Sequence, residues 1–493
     1  MKLTLTTRSR VARVGALAVL LAGVAVPASA ASTTRVKDIN PEGHSGPREL
    51  TVMRVGDKRI LFFRAWDGSS GTELWRSDGT SAGTKQVKDI DPGPGSSFPQ
   101  AFRVMKVGTK RFLFFSANDG TSGSELWRSD GTAAGTKRVK DIVTGAGSSG
   151  PGRFKVMKVG TKRFLFFVAD DGTSGFELWR SDGTSAGTKR VKDIDPGAGG
   201  SHPEFLITMK AGAKRFLFFR ADDGTSGTEL WRSDGTAAGT RRVKDINTGG
   251  DTELAYFTVM KVGTKPFLFF EANDGTSGAE LWRSDGTTAG TKRVKDINPG
   301  PGSFLLQDPV VMKVGTKRFL FFPANDGTSG WELWRSDGTA AGTKRVKDIV
   351  TGAESSSPFH LTVMKVGTKR ILFFTARDAT SGRELWRSDG TGAATKRVKD
   401  IHLGGDADPE QLAVMKIGTK RFLFFQAADG PSGTELWRSD GTGSGTKRIA
   451  DMNPGPDGSH PFHLTVMKVG AEPNLFFTAN DGTSGEELWR HRP

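Results

Sequence analysis

Residues 125–132, Glu125-Leu126-Trp127-Arg128-Ser129-Asp130-Gly131-Thr132, decide the reading of this chain, because their opening tripeptide ELW recurs nine times. Its tryptophans fall at Trp75, Trp127, Trp179, Trp231, Trp282, Trp334, Trp386, Trp437 and Trp489, a period of 51 or 52 residues with no interruption. A second marker, VKDI or a near variant, begins at Val36 and recurs with the same period as far as Ile449. A fixed period of this length identifies a repeat architecture before any single segment is interpreted. In the second unit, strand-like runs cover Phe102–Val107, Lys110–Ala117, Glu125–Ser129 and Thr136–Ile142. The separators are Gly108-Thr109, the stretch Asn118 to Gly123, and Asp130-Gly131-Thr132, which supply the positive φ angles that hairpins need. No segment carries a helical period, so each unit reads as a four-stranded antiparallel meander.

The run RFLFF, Arg111 to Phe115, is apolar at successive positions, as expected of a strand buried on both faces. Stacking the sheets face to face buries all but two outer faces, and closing a ring buries those too. The ends fit closure. Arg35 to Ile39 is a fourth strand without its first three, and Glu487 to Arg490 is a third strand without its fourth. The expected fold is therefore all-β, a single propeller of nine four-stranded blades, with residues 33–40 completing the last one. An open superhelix is the rival, since propellers more commonly have about four to eight blades.

ELWRSDGT followed by AGTKRVKDI closely resembles the ELWxxDGT repeat family of secreted bacterial proteins, over nearly all of residues 31–493. That resemblance implies propeller-like β architecture and export, and brings no defined activity with it. Ala379, Ala394, Pro431 and the final Arg490-His491-Arg492-Pro493 depart from the pattern and put individual turns in question.

Lys2, Arg8, Arg10 and Arg13, the apolar run Val14–Val26 and the small residues Ala28-Ser29-Ala30 read as a secretory signal peptide spanning residues 1–30. The run is shorter than the roughly 20 residues a membrane-crossing helix needs. The mature chain is thus expected outside the cytoplasm, extracellular or periplasmic, with no transmembrane segment. Cleavage removes four basic residues and no acidic ones, taking the net charge from +16 to +12. Cysteine is absent, so packing and strand pairing must hold the exported chain together.

A meander sends the first and third hairpin turns to one end of each sheet, and the second turn and blade-to-blade link to the other. The first end, the lower face, is expected to collect Lys106, Lys110, Arg111, Arg128, Lys137 and Arg138. The upper face is expected to collect Asp119, Glu125 and Asp141. Variation among copies maps to the upper rim. The residues preceding the second-strand alanine and preceding ELW read as changing cross-strand pairs: Arg64 with Thr72, Val168 with Phe176, Pro323 with Trp331, Thr375 with Arg383. Arg220, Glu271, Gln426 and Glu486 occupy the same positions in other units, and the links hold His44, His202, His360, His402, His460 and His463. These twelve rim residues are the candidate ligand-binding set, since loops on a rigid frame commonly carry recognition.

No catalytic constellation is legible: the histidines are scattered and Tyr256 is the only tyrosine. Asp119 and Glu125 are the candidates for a structural calcium, although the alternating acidic spacing of a strong calcium loop is missing. No other cofactor is expected. The ELW tryptophan reads as inter-blade core. The chain is read as a monomeric, non-enzymatic binding or surface-interaction protein for a glycan or cell-envelope polymer. A matrix protein without a small ligand and a hydrolase-like propeller are the alternatives. Nucleic acid is not expected, because no aromatic residues interleave with the basic turns.

Overall fold

Leu113, Phe114 and Phe115 show how the repeat becomes a ring. Alternation along a strand points Leu113 and Phe115 at one neighbouring sheet and Phe114 at the other. In the computed structural model, which describes Met1 and residues 31–304 and 306–493, this is how they pack. Leu113 and Phe115 meet Met53, Phe62 and Leu74 of the first blade, and Phe114 meets Leu165 and Phe167 of the third. All three are fully buried, each contributing roughly 1.5–3 kcal/mol of transfer free energy. The expected export signal lies, apart from Met1, outside the described residues.

Nine such inter-blade cores join nine four-stranded sheets around an axis, giving a nine-bladed β-propeller. Each blade is a meander. In the second blade the strands run Gln100–Val107, Lys110–Asn118, Ser124–Ser129 and Lys137–Lys140, from innermost to outermost. The first strands of successive blades adjoin one another and line the central channel. Among the described residues no helix is long and apolar enough to cross a membrane.

Closure occurs as the terminal fragments suggested. Ser32–Lys37 pairs antiparallel with Glu486–Arg492 and supplies the outer strand of the ninth blade. Glu487 extends the seam by accepting the amide of Ile39 at 3.1 Å. Val36, Met467, Phe476 and Leu488 then pack against Leu61, Phe63 and Trp75 of the first blade. Each ELW tryptophan is buried between blades, as Trp127 is, with Lys88 of the preceding blade 5.6 Å from its ring centroid. At Ala379 the turn tightens and the strand pairing reaches Asp378–Gly382, leaving the blade intact.

Candidate binding site

The blade-to-blade link is firmly tethered, and the ELW glutamate is the reason. Glu125 is fully buried, and its carboxylate accepts the Ile142 amide at 2.9 Å, the Ser149 amide at 3.2 Å and the Ser149 hydroxyl at 2.7 Å. Glu125 therefore does not belong to an acidic upper face. Burial pushes its carboxyl above the ordinary range against the opposing effect of these donors, and four of its equivalents, Glu229, Glu280, Glu384 and Glu487, are raised to about 7. Ser149 also receives the Asp170 amide of the next blade on its carbonyl at 3.0 Å. One serine thus ties the link to both blades it connects.

The remaining upper carboxylates are paired. Arg138, expected on the lower face, reaches Asp119 and Asp141, each at 3.5 Å. Asp119 also accepts the amides of Thr121 and Ser122. Burial works to raise its pKa, but those hydrogen bonds and Arg138 hold it below the ordinary value. The structure therefore gives the oxygens of Asp119 and Glu125 separate protein partners. Among the described residues no three His, Asp or Glu side chains converge as metal ligands.

The rim pairs need a correction of register. Arg64 lies opposite Leu74, and Thr72 opposite Trp66; Val168 lies opposite Leu178, and Phe176 opposite Asp170. The same two-residue offset separates Pro323 from Trp331 and Thr375 from Arg383, so each pair shares a sheet face as diagonal neighbours. The second-strand member is also less available than its variability suggests. Val168, Glu271, Thr375 and Gln426 are buried. Glu271 accepts the Leu306 amide, Thr375 donates to the Pro409 carbonyl, and Gln426 donates to Glu410 at 3.0 Å. Glu486 holds Arg48 through two bonds of 2.8 and 2.9 Å, and Arg383 pairs with Asp408 at 3.1 Å.

What varies in the open is a segment the sequence reading passed over. Six links run Ser-x-Pro-x-x into the inner strand, as in Ser97-Phe98-Pro99-Gln100-Ala101 and Ser201-His202-Pro203-Glu204-Phe205. The last x or its equivalent has positive φ in all nine blades, and lies in a bulge in all but the sixth: Glu49, Ala101, Arg153, Phe205, Tyr256, Asp308, His360, Gln411 and His463. None is glycine. Non-glycine residues in this conformation are uncommon and are maintained only where the surroundings enforce it. Here the enforcing surroundings are the doubly tethered link and the sheet register. The result is a ring of nine side chains of eight kinds around the upper mouth of the channel. A variable position two residues after the recurring proline was the available signal.

The ring is most developed over blades two to five. A cavity of about 470 Å³ is lined by Arg103, Arg153, Lys155, Phe205 and Phe257, with Glu49 at its edge. Burial, and then the charge of Arg103, push the Lys155 ammonium below its ordinary range. Phe205 is 37% exposed, its ring centroid lies 6.4 Å from that of Tyr256, and the Arg220 guanidinium stands 5.2 Å from its centroid. Glu204 clamps this cluster by pairing with both Arg153 and Arg220. Beside it, Gly150 and Gly152 leave a notch of about 230 Å³ between Val168, Phe176, His202 and Arg153. The structure therefore gathers Val168, Phe176 and Arg220 into one neighbourhood. The other predicted rim residues are distributed among the remaining blades.

No protein-family model and no curated protein matches this chain. Solved structures resemble it distantly. Puromycin hydrolase is 12% identical with a TM-score of 0.38, over 77% of this chain and 58% of that one. A puromycin-hydrolyzing peptidase of Mycobacterium tuberculosis is 11% identical with a TM-score of 0.40, over 78% and 59%. The polysaccharide lyase Uly1 is 12% identical with a TM-score of 0.32, over 69% and 88%. The chain thus spans less than two thirds of either peptidase, and likenesses this distant leave its function to its own residues.

Proposed function

We propose that this is a secreted, non-enzymatic binding protein that holds a carbohydrate or cell-envelope polymer on its upper face, across the mouth of the channel. The observation that carries this reading is the contrast between frame and ornament. Nine blades share nearly one sequence, yet the positive-φ position at the channel mouth carries a different side chain in almost every blade. A rigid ring with diversified, partly exposed side chains suits a ligand long enough to touch several blades, and repeated weak contacts gain from avidity. Phe205 and Tyr256 offer faces for sugar rings, while Arg153, Glu204 and His202 offer polar partners at their edges.

The test is retention of the purified mature protein on insoluble wall polymers and a glycan array, with and without calcium. Retention that falls in Phe205→Ala and Trp331→Ala variants of unchanged thermal stability is the expected result. Absence of retention on every polymer overturns the reading.

A further inference from the structure

The lower face presents the opposite pattern, with uniform charge in place of diverse chemistry. Near the lower end of the inner strand every blade carries a basic residue, Arg54 in the first and its lysine equivalents from Lys106 to Lys468 in the rest, and all nine are exposed. In seven blades that residue stands directly opposite an arginine on the second strand, as Lys106 opposes Arg111 and Lys158 opposes Arg163. Like charges placed directly across an antiparallel pair are destabilising. A further lysine, Lys110 in the second blade, begins the adjacent strand, and Lys137 is exposed on the outer one.

In blades one to eight a lower-turn aspartate, such as Asp130, offsets part of this charge and leaves a basic excess. Among the described residues, the ion pairs gather on the upper side, where each strand-four arginine meets its aspartates, and Arg54–Asp57 at 3.0 Å is the one at the lower end. The lower-turn aspartates are committed to their own turns, as Asp130 is to the Thr132 amide and hydroxyl at 3.0 and 2.7 Å. The ELWR arginines are committed too. Arg128 lies 4.6 Å over the Phe112 ring and donates to the Gly183 carbonyl of the next blade at 2.7 Å.

We propose that the lower face is a second binding surface, for an acidic polysaccharide whose carboxylate or sulfate groups run around the rim of basic inner-strand ends. A repetitive surface with an excess of one charge, closely similar from blade to blade, matches a polymer of repeating anionic units, and its summed potential would draw such a chain in. The composition favours a polysaccharide over the other polyanionic surfaces. Apart from Met1 and Val466, which lies within the inner strand of the ninth blade, the exposed large apolar residues Trp66, Phe98, Phe205 and Leu403 lie in upper turns, links and the channel mouth, so among the described residues the lower turns carry no large apolar anchor for a lipid surface. The Phe112-type rings are roofed by arginines, so no aromatic platform is offered to nucleobases. Stacking of a second copy is disfavoured because most of the upper turn aspartates already have arginine partners.

The experiment measures binding of the full mature chain to polygalacturonate, heparin and uncharged dextran across a salt series. It compares the parent with a variant carrying Lys106→Glu, Lys158→Glu, Lys210→Glu and Lys313→Glu. Binding to one or both acidic polymers and not to dextran is expected, with affinity falling steeply as salt rises. The fourfold variant should lose at least about tenfold in affinity and show a shallower salt slope, by analogy with counterion release on other polyanions. Its melting temperature should hold or rise, since each glutamate faces an arginine. Leu403→Ala, an exposed link position outside both proposed surfaces, should bind these polymers as the parent does. Equal binding to dextran, an unchanged affinity in the fourfold variant, or stronger binding to anionic vesicles or duplex DNA than to either polysaccharide overturns the proposal. So does salt-sensitive self-association that accounts for the signal.

Discussion

Arg490 donates from Nη1 to the carbonyl of Gly79 at 2.8 Å, and this bond crosses from the ninth blade to the first. Arg128 of the second blade makes the same bond at 2.7 Å to Gly183, in the turn between the third and fourth strands of the third blade, and Arg335 makes it to Gly390 at 2.6 Å. The seam is therefore built like the other interfaces. Arg490→Ala and Arg128→Ala should destabilise the fold by similar amounts, about 1–2 kcal/mol each in urea unfolding. Removing residues 33–40 should cost far more than either, because it strips the outer strand from the ninth blade. A truncated protein that melts with the parent would contradict closure.

Glu125 supports a link rather than a ligand, and its removal leaves buried donors without partners. Glu125→Ala should cost about 3 kcal/mol or more, read as a shift of the urea midpoint at constant slope. Asp141→Ala, which touches only a part-exposed ion pair, should change stability by less than about 1 kcal/mol.

The same glutamates set a pH dependence whose sign follows from their environment. Glu229, Glu280, Glu384 and Glu487 have pKa values raised to about 7, against an ordinary value of 4.5. The folded state therefore holds more protons than the unfolded chain between those limits. The stability they contribute is fully present below the unfolded value and is lost as pH rises through about 7. The turn aspartates act in the other sense. Asp119, Asp223 and Asp326 are held low, burial being outweighed by hydrogen bonds within the turn, so their contribution is lost in acid. A melting temperature that is highest at mildly acidic pH, and lower both at roughly pH 8 and below roughly pH 4, is expected by calorimetry.

Ala101 holds a φ of 59° without a glycine's freedom. Ala101→Gly should therefore stabilise the protein by up to about 1 kcal/mol, with the loss of unfolded-state restriction offsetting part of the relief. Gly123 gives the converse. At a φ of 62°, a Cβ would sit 2.2 Å from the Gly147 carbonyl oxygen, so Gly123→Ala should lower the melting temperature clearly.

Much of this architecture was legible because it is periodic. The spacing of the tryptophans counted the blades, the split strand sequences predicted the seam, and successive apolar residues at Leu113–Phe115 marked a strand packed on both sides. The candidate site was legible only as a region. Variation at Val168 and Thr375 suggested exposure, but a side chain can vary where a neighbour in the same blade compensates, and these two are buried. Glu125 and Arg138 misled because the sequence gives the end of the sheet a residue occupies and not the direction its side chain takes. The positive φ at Phe205 and Tyr256 depends on the bulge between the tethered link and the inner strand, which no local pattern in those residues declares.

Ile39 and Glu487 meet across 448 positions of sequence, through a strand whose RVKD sequence is repeated in most other blades. During refolding, a neighbouring molecule offers the same open ladder edge with the same chemistry. Intramolecular closure is independent of protein concentration, whereas donation to a neighbour is not, so crowded refolding should yield rings linked head to tail through exchanged strands. The single borrowed strand that makes the monomer seamless is also the point at which it can polymerise.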